Sequence, residues 1–363
     1  MAKRVLIIDD SALMRKQLSQ ILEKAGYETL TARNGEEGLG KIEEFDPAVI
    51  TLDINMPVMD GLTCLSLIMQ QFPRPVIMVS SLTEKGALAT FEALELGAVD
   101  YVAKPGGTVS LNLRDVADDL LDKVAAAARA KIGRSSKLRE RLRAQRSQIK
   151  KRSITSRVAR STSSEKIIAT GKKGHSLVIV GVSTGGPGTL EEIITALPAD
   201  FPAPIIVAQH MPSRFTGVFA ERLNKVSGLE VQELSRPQVP MPGHVYIARG
   251  DADVKLTKRG TKLMAISVPM DNKFLWHPSV ERLALSVKEY CSPADVICVQ
   301  LTGMGDDGAK TMAELHELGA RCIAESEETA VVYGMPRELV ERGGADCVIP
   351  SYEIAAKLIA WVK

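Results

Sequence analysis

The chain has 363 residues, 45% of them hydrophobic and 25% charged, with 46 basic against 44 acidic residues for a net charge of +2. That length has room for two domains with separate cores, and the composition excludes collagen-like, disulfide-rich and disordered classes. No apolar run approaches the ~20 residues that a bilayer span needs, and five cysteines without C-x-x-C spacing argue for free thiols rather than zinc or disulfides.

The first apolar run, at 5–8, is too short for a secretory signal because Asp9 and Asp10 end it. It reads as a first strand in a cytoplasmic protein. Further strands are expected at 29–32, 48–52, 76–79 and 99–102, most of them apolar enough for burial on both faces, as parallel strands require. Helical patterns fall between and after them, at 11–26, 35–45, 62–72, 84–96 and 113–128, several closed by glycine. Such alternation implies an open, doubly wound parallel sheet with its site at the strand C-terminal ends.

From 131 to 173 aromatics vanish and Ser, Lys and Arg dominate, which reads as a solvated linker with a helical piece at 137–150. Residues 129–166 hold fourteen Lys or Arg against Glu140 and Glu165, leaving 32 basic and 42 acidic residues elsewhere, a balance of −10. Two acidic modules thus flank a basic connector, and the expected division is 1–125, 126–173 and 174–363. The second α/β series places strands at 176–181, 204–209, 244–248, 262–268, 295–301 and 321–324, with helices at 189–197, 217–226, 279–289 and 309–318. No internal repeat relates the two series.

In the first series Asp9 and Asp10 end one strand, Asp53 another, Ser80 a third and Lys104 a fourth, so three carboxylates, a hydroxyl and an ammonium converge. Carboxylates that close repel unless a hard cation joins them, and an all-oxygen set suits Mg²⁺. The motifs D-D-S at 9–11, L-D-I-N-M-P-V-M-D-G at 52–61, V-S-S at 79–81 and K-P at 104–105 resemble those of response-regulator receiver domains. The resemblance implies a flavodoxin-like fold in which Asp53 accepts a phosphoryl group from a histidine kinase. It also implies that Asp9, Asp10 and Asp53 hold Mg²⁺ with the Asn55 backbone carbonyl, that Lys104 contacts the phosphoryl oxygens, and that Ser80, standing for the usual Thr, moves to hydrogen-bond them.

In the second series G-V-S-T-G-G-P at 181–187 forms a strand-to-helix turn that would expose the Ser183 hydroxyl as a nucleophile. An alcohol needs a neighbouring base, and among five histidines His210 alone ends the next expected strand. His175 and His244 border strands, His277 precedes Pro278 at a helix start near the expected site, and His316 lies on a helix face. The T-G-M-G-D-D-G run at 302–308 supplies a carboxylate for the imidazole and lacks the spacing of a calcium loop.

The order Ser, His, Asp differs from the usual α/β-hydrolase order. Together with Q-H-M-P-S-R-F-T at 209–216 and L-T-G-M-G-D-D-G at 301–308, it resembles the catalytic domain of chemotaxis-type protein-glutamate methylesterases. That resemblance implies a Rossmann-like domain with Ser183 as nucleophile, His210 as general base and acid, and Asp307 as orienting carboxylate, Asp306 standing where the family often has Asn. The Met304 N–H would serve the oxyanion, with Thr184 close by, and no metal would be needed there. The implied activity is phosphorylation-activated hydrolysis of glutamate γ-methyl esters on chemoreceptors, releasing methanol, with deamidation of receptor glutamines. The alternative is a phosphorylation-controlled binding module without esterase activity, but 181–188 has neither a proper G-x-G-x-x-G nor a P-loop lysine. Expected partners are a histidine kinase and a methylated chemoreceptor. No nucleic acid is expected, since no aromatic occurs from Val102 to Asp200 to stack on bases, and no membrane insertion.

Overall fold

The computed structural model describes residues 3–81, 83–104, 113–130 and 177–362. The connector expected at 126–173 lies outside them beyond Ala130, as do Pro105 and His175.

The first domain runs β1 (Arg4–Ile8), α1 (Ala12–Lys24), β2 (Glu28–Ala32), α2 (Gly35–Phe45), β3 (Val49–Asp53), α3 (Gly61–Gln71), β4 (Val76–Ser80), α4 (Glu84–Leu96), β5 (Asp100–Ala103) and α5 (Leu113–Ala127). Its parallel sheet has the order β2-β1-β3-β4-β5. The winding reverses between β1 and β3, which opens a crevice at their C-terminal ends. Helix starts are written locally: Ser11, Asn34, Asp60 and Thr83 each accept a first-turn amide of α1 to α4. Gly61 has a different reason to be there, because a Cβ on it would stand 2.1 Å from the Asp53 carbonyl oxygen. Only glycine lets α3 start against the end of β3.

The second domain follows as β6 (Leu177–Val182), α6 (Gly186–Ala196), β7 (Ile205–Gln209), α7 (Ser213–Val226), β8 (Glu230–Leu234), β9 (His244–Ala248), β10 (Asp253–Arg259), β11 (Lys262–Val268) and α8 (Val280–Tyr290). It continues with β12 (Val296–Gln300), α9 (Ala309–Glu317), β13 (Arg321–Glu325), α10 (Met335–Glu341), β14 (Cys347–Ile349) and α11 (Ser351–Trp361). Seven strands form one parallel sheet in the order β14-β13-β12-β6-β7-β9-β8. Both sheets are therefore the doubly wound kind that the alternation implies. Along β6 the faces alternate: Val178, Val180 and Val182 join one core, Leu177 and Ile179 the other.

The structure adds elements that the pattern did not reveal. β8 and β14 are edge strands with exposed or half-buried positions, so neither has the apolar run of a central strand. β11 belongs to a separate antiparallel hairpin with β10, turned at Gly260 with φ +62°. β10 buries Val254 and Leu256 and leaves alternate positions polar, which weakens its signal. The helices α10 and α11 were also not expected. The five cysteines are free, and no described helix is long and apolar enough to cross a membrane.

The two domains share an apolar cluster. Phe91 on α4 stacks on Phe219 of α7 at 5.4 Å and meets Phe215 edge-on at 6.3 Å, while Tyr101 of β5 lies 4.4 Å from Phe215. Arg222 of α7 ion-pairs with Glu95 of α4 and with Glu191 of α6. Gly61→Ala should force α3 off β3 and destabilise the first domain by about 2 kcal/mol, within the usual cost of overpacking. A lowered thermal midpoint for the variant checks this; an unchanged one would mean that the close approach is not required.

Candidate active site

Three neighbouring strands of the large sheet, β12, β6 and β7, end side by side and deliver Asp307, Ser183 and His210 to the same crevice. Ser183 directly follows β6, its amide donating to the Thr302 carbonyl at 2.9 Å. His210 directly follows β7, its amide donating to the Val182 carbonyl at 3.1 Å. The buried Gln209 Nε2 donates to the carbonyls of both Ser183 and His210 at 3.0 Å, tying their backbones together. Glycines make the closeness possible. A Cβ on Gly303 would fall 2.7 Å from Ser183 Cβ, and Gly185, which opens the turn into α6, has φ +80°.

His210 Nε2 lies 2.9 Å from Asp307 Oδ2. The Asp307 carboxylate also receives Ser279 Oγ at 3.1 Å, Val280 N–H at 2.7 Å and Glu281 N–H at 2.9 Å, so it sits on the N-terminus of α8. Burial alone would raise Asp307, but the His210 ring and the two α8 amides outweigh it and hold the carboxyl below its ordinary value. It is a fixed anion. Asp306 instead turns to solvent and ion-pairs with Arg342 at 3.5 Å. The other ring nitrogen, His210 Nδ1, is buried without a hydrogen-bond partner. Among the described residues no hydrogen bond joins it to Ser183, which follows the neighbouring strand, so this nitrogen is left free to accept a proton.

Met304 and Thr184 flank this point. Gly334 and Met335 N–H both donate to the Gly303 carbonyl, at 3.1 and 2.9 Å, and in the same planar peptide the Met304 N–H points the opposite way. Thr302 Oγ1 donates to the Thr184 carbonyl at 2.8 Å, joining the two loops. Several participants escape sequence reasoning. Trp276 stacks on His210 with centroids 5.6 Å apart and planes 7° from parallel. Ser279 and the α8 amides are visible only once α8 is placed. Glu325 is fully buried at the end of β13, accepting from the Thr302 N–H at 2.8 Å and the Thr329 hydroxyl at 2.9 Å. Only the rarity of tryptophan, two in the chain, could have drawn attention to Trp276.

The first domain gathers its expected residues at the sheet's C-terminal edge. Ligand oxygens of Asp9, Asp10 and Asp53 lie within 4.8 Å of one another. Lys104 Nζ stands 2.7 Å from Asp53 Oδ2 and 3.1 Å from Asp9 Oδ2, and among the described residues no hydroxyl or amide donor reaches either buried oxygen. Such an oxygen set fits a divalent cation. Burial raises Asp53 above its ordinary value, against the pull of Lys104 and with help from Asp9. Burial works against the Lys104 charge, yet Asp53 and Asp9 prevail and raise it. Asn55 N–H reaches Asp53 Oδ1 at 3.4 Å. The Ser80 hydroxyl points to the Gly86 carbonyl of α4 at 3.2 Å.

A carboxylate pocket on one doubly wound sheet and a Ser, His and Asp set on the other define the class: a receiver domain coupled to a hydrolase domain. Residues 5–114 match the response regulator receiver domain family, and residues 178–358 match the CheB methylesterase family. A protein-glutamate methylesterase/protein-glutamine glutaminase of Rhodospirillum rubrum is 52% identical over 361 residues, 99% of this chain and 96% of its own. One from Rhodopseudomonas palustris is 49% identical over 359 residues, 99% of this chain and 98% of its own. The catalytic domain of CheB methylesterase from Thermotoga maritima, 42% identical, covers 51% of this chain and 97% of its own with a TM-score of 0.49. The chain belongs to the CheB family of receiver-linked methylesterases.

Two outcomes test this geometry. Asp307→Asn should lower kcat by about 10³–10⁴-fold, as loss of an imidazole-orienting carboxylate does, while Asp306→Asn stays within about twofold; steady-state ester hydrolysis reads both, and a reversed ranking would misassign the acid. Burial pushes Glu325 up to about 7, against its Thr302 and Thr329 hydrogen bonds and with the charge of Glu192 adding to the rise. Unfolded, a glutamate titrates near ~4.3. Between those values the folded state holds a proton that the unfolded state lacks, so stability is lost as pH rises through the interval. Glu325→Gln should leave stability unchanged near pH 4 and raise it near pH 8, by about 4 kcal/mol at most; thermal midpoints read the difference, and parallel midpoint curves would refute the buried, protonated carboxyl.

Proposed function

We propose that this chain hydrolyses γ-methyl esters of glutamyl side chains on chemoreceptors, and deamidates receptor glutamines, when its receiver is phosphorylated. The observation that carries the proposal is the 2.9 Å His210–Asp307 pair held at the strand end next to Ser183. Ser183 Oγ attacks the ester carbonyl as His210 Nδ1 takes its proton, and the Met304 N–H meets the developing oxyanion beside Thr184, a contribution typically worth ~3 kcal/mol. His210 then gives the proton to departing methanol. Water, activated by the same imidazole, cleaves the acyl-enzyme to glutamate and restores the serine. A glutamine side chain follows the same course with ammonia leaving.

In the receiver, Asp53 would accept a phosphoryl group from the phosphohistidine of a kinase. Asp9, Asp10, Asp53 and the Asn55 carbonyl would hold Mg²⁺, whose charge offsets repulsion between the carboxylates and the phosphate. Lys104, now shared between Asp53 and Asp9, would turn to the phosphoryl oxygens. Ser80 would leave the Gly86 carbonyl for them. That carbonyl also accepts the Thr90 hydroxyl at 2.7 Å, one residue before Phe91, and Phe91 packs on α7, which begins three residues after His210. Phosphorylation would thus bias α4, and α4 bears on the helix behind the catalytic imidazole.

Methanol release from a methylated receptor fragment, with and without acetyl phosphate, tests the whole scheme. Ser183→Ala should abolish turnover, whereas Asp53→Ala or EDTA should abolish only the stimulation and the base-labile phosphate. A fragment beginning at Gly174 should exceed the unphosphorylated full chain and ignore phosphodonor. Near wild-type turnover by Ser183→Ala, or equal basal rates for fragment and full chain, would overturn the catalytic or the regulatory half respectively.

A further inference from the structure

The loop between β11 and α8 is unusually well tied for a segment that displays apolar side chains. Asp253, 1% exposed at the start of β10, receives donors from both ends of it: Asp271 N–H at 3.3 Å, His277 Nδ1 at 2.9 Å, Ser279 N–H at 2.9 Å and Arg282 Nη1 at 2.6 Å. Arg282 Nη1 also donates to the Pro269 carbonyl at 2.7 Å, and its guanidinium lies over the Phe274 ring. One buried carboxylate and one arginine therefore close the loop at its base. What the loop holds out is Leu275, 78% exposed, with Met270 at 52%.

Its inner side is part of the catalytic crevice. Trp276 stacks on His210, and a Cβ on Gly305 would meet its ring at 2.7 Å, so the indole spans from the imidazole to the 303–307 loop. Leu275 adjoins Trp276 in the chain and is exposed beside this wall. A large apolar side chain on a pre-ordered loop, continuous with the reaction site, costs little ordering entropy to bind against.

Resting on the function proposed above, we infer that the 269–279 loop is a docking lip for the substrate polypeptide, with Leu275 receiving an apolar side chain that flanks the reacting glutamyl residue and Trp276 bordering the ester itself. Leu275 acts on the protein substrate and is not needed for the chemistry. A small ester reaches Ser183 without crossing the lip.

The test uses the full chain with acetyl phosphate and two substrates, a methylated receptor fragment and N-acetylglutamic acid γ-methyl ester. Leu275→Ser should raise KM for the receptor about tenfold, the scale of one well-buried contact, with kcat unchanged and hydrolysis of the small ester within twofold. Leu275→Met should restore the receptor KM. An unchanged receptor KM, or an equal loss on both substrates, would overturn the lip. Loss of self-association in Leu275→Ser by sedimentation velocity, at unchanged KM, would assign the surface to a second copy and equally overturn it. Wild-type enzyme that cleaves the small ester but not the receptor would instead defeat the substrate assignment, and the lip with it.

Discussion

The parallel pairing of β12, β6 and β7 is the constraint from which the catalytic arrangement descends. Parallel strands share a direction, so their C-terminal ends lie on one edge, and neighbouring ends are about 5 Å apart. Residues placed directly after such strands meet without any long-range search. The winding reverses at β6, leaving room above it for a substrate side chain. The requirement then passes to the loops, where glycine at 185, 303 and 305 allows approaches that a side chain would block. Asp307 completes the set by resting on the first amides of α8: Glu281 N–H holds Oδ1, and Oδ2 takes both the Val280 N–H and the imidazole.

Most of this was legible because it is written in short, local signals. Buried parallel strands must be apolar on both faces, so β1, β3, β4, β6, β7 and β12 stand out in the sequence, and the chemistry lies at the end of each or in the loop that follows it. His210 could be picked from five histidines by that rule alone. The illegible parts depend on contacts between distant segments. Edge strands such as β8 and β14 carry too little hydrophobic pattern, and β10 is half polar because only one face of the hairpin is covered. Trp276 reaches the site from a loop whose placement the one-dimensional pattern does not specify, whereas Glu325 ends a strand that the pattern does show, and only its burial was hidden. Nor could charge predict that a glutamate would be buried under Thr302, since acidic residues seldom are.

The contact between the domains sets conditions on their separation. Phe91, Tyr101, Phe215 and Phe219 are each 3% exposed or less, and rings of this kind bury on the order of 150–250 Å² apiece. Full detachment would wet them, which argues that the closed arrangement is favoured and that the phosphorylation proposed at Asp53 would shift it only through energy differences comparable with that burial. A slide or tilt of α4 along α7 needs less. The Arg222 guanidinium, pairing with one carboxylate on each side of the junction, can follow such a movement while keeping a partner.

A shared core also changes what counts as a module in this protein. Two sheets that each look self-sufficient in topology are fused by four aromatic rings into one apolar body, so melting of either should tug on the other and cooperative unfolding should extend past the nominal domain border. A receiver transplanted from an unrelated regulator would bring the phosphorylation chemistry intact, yet without counterparts of Phe91 and Tyr101 it would leave Phe215 and Phe219 facing water. Exchanging the receiver of this chain would therefore require bringing a matching aromatic face along with it, or redesigning both surfaces together.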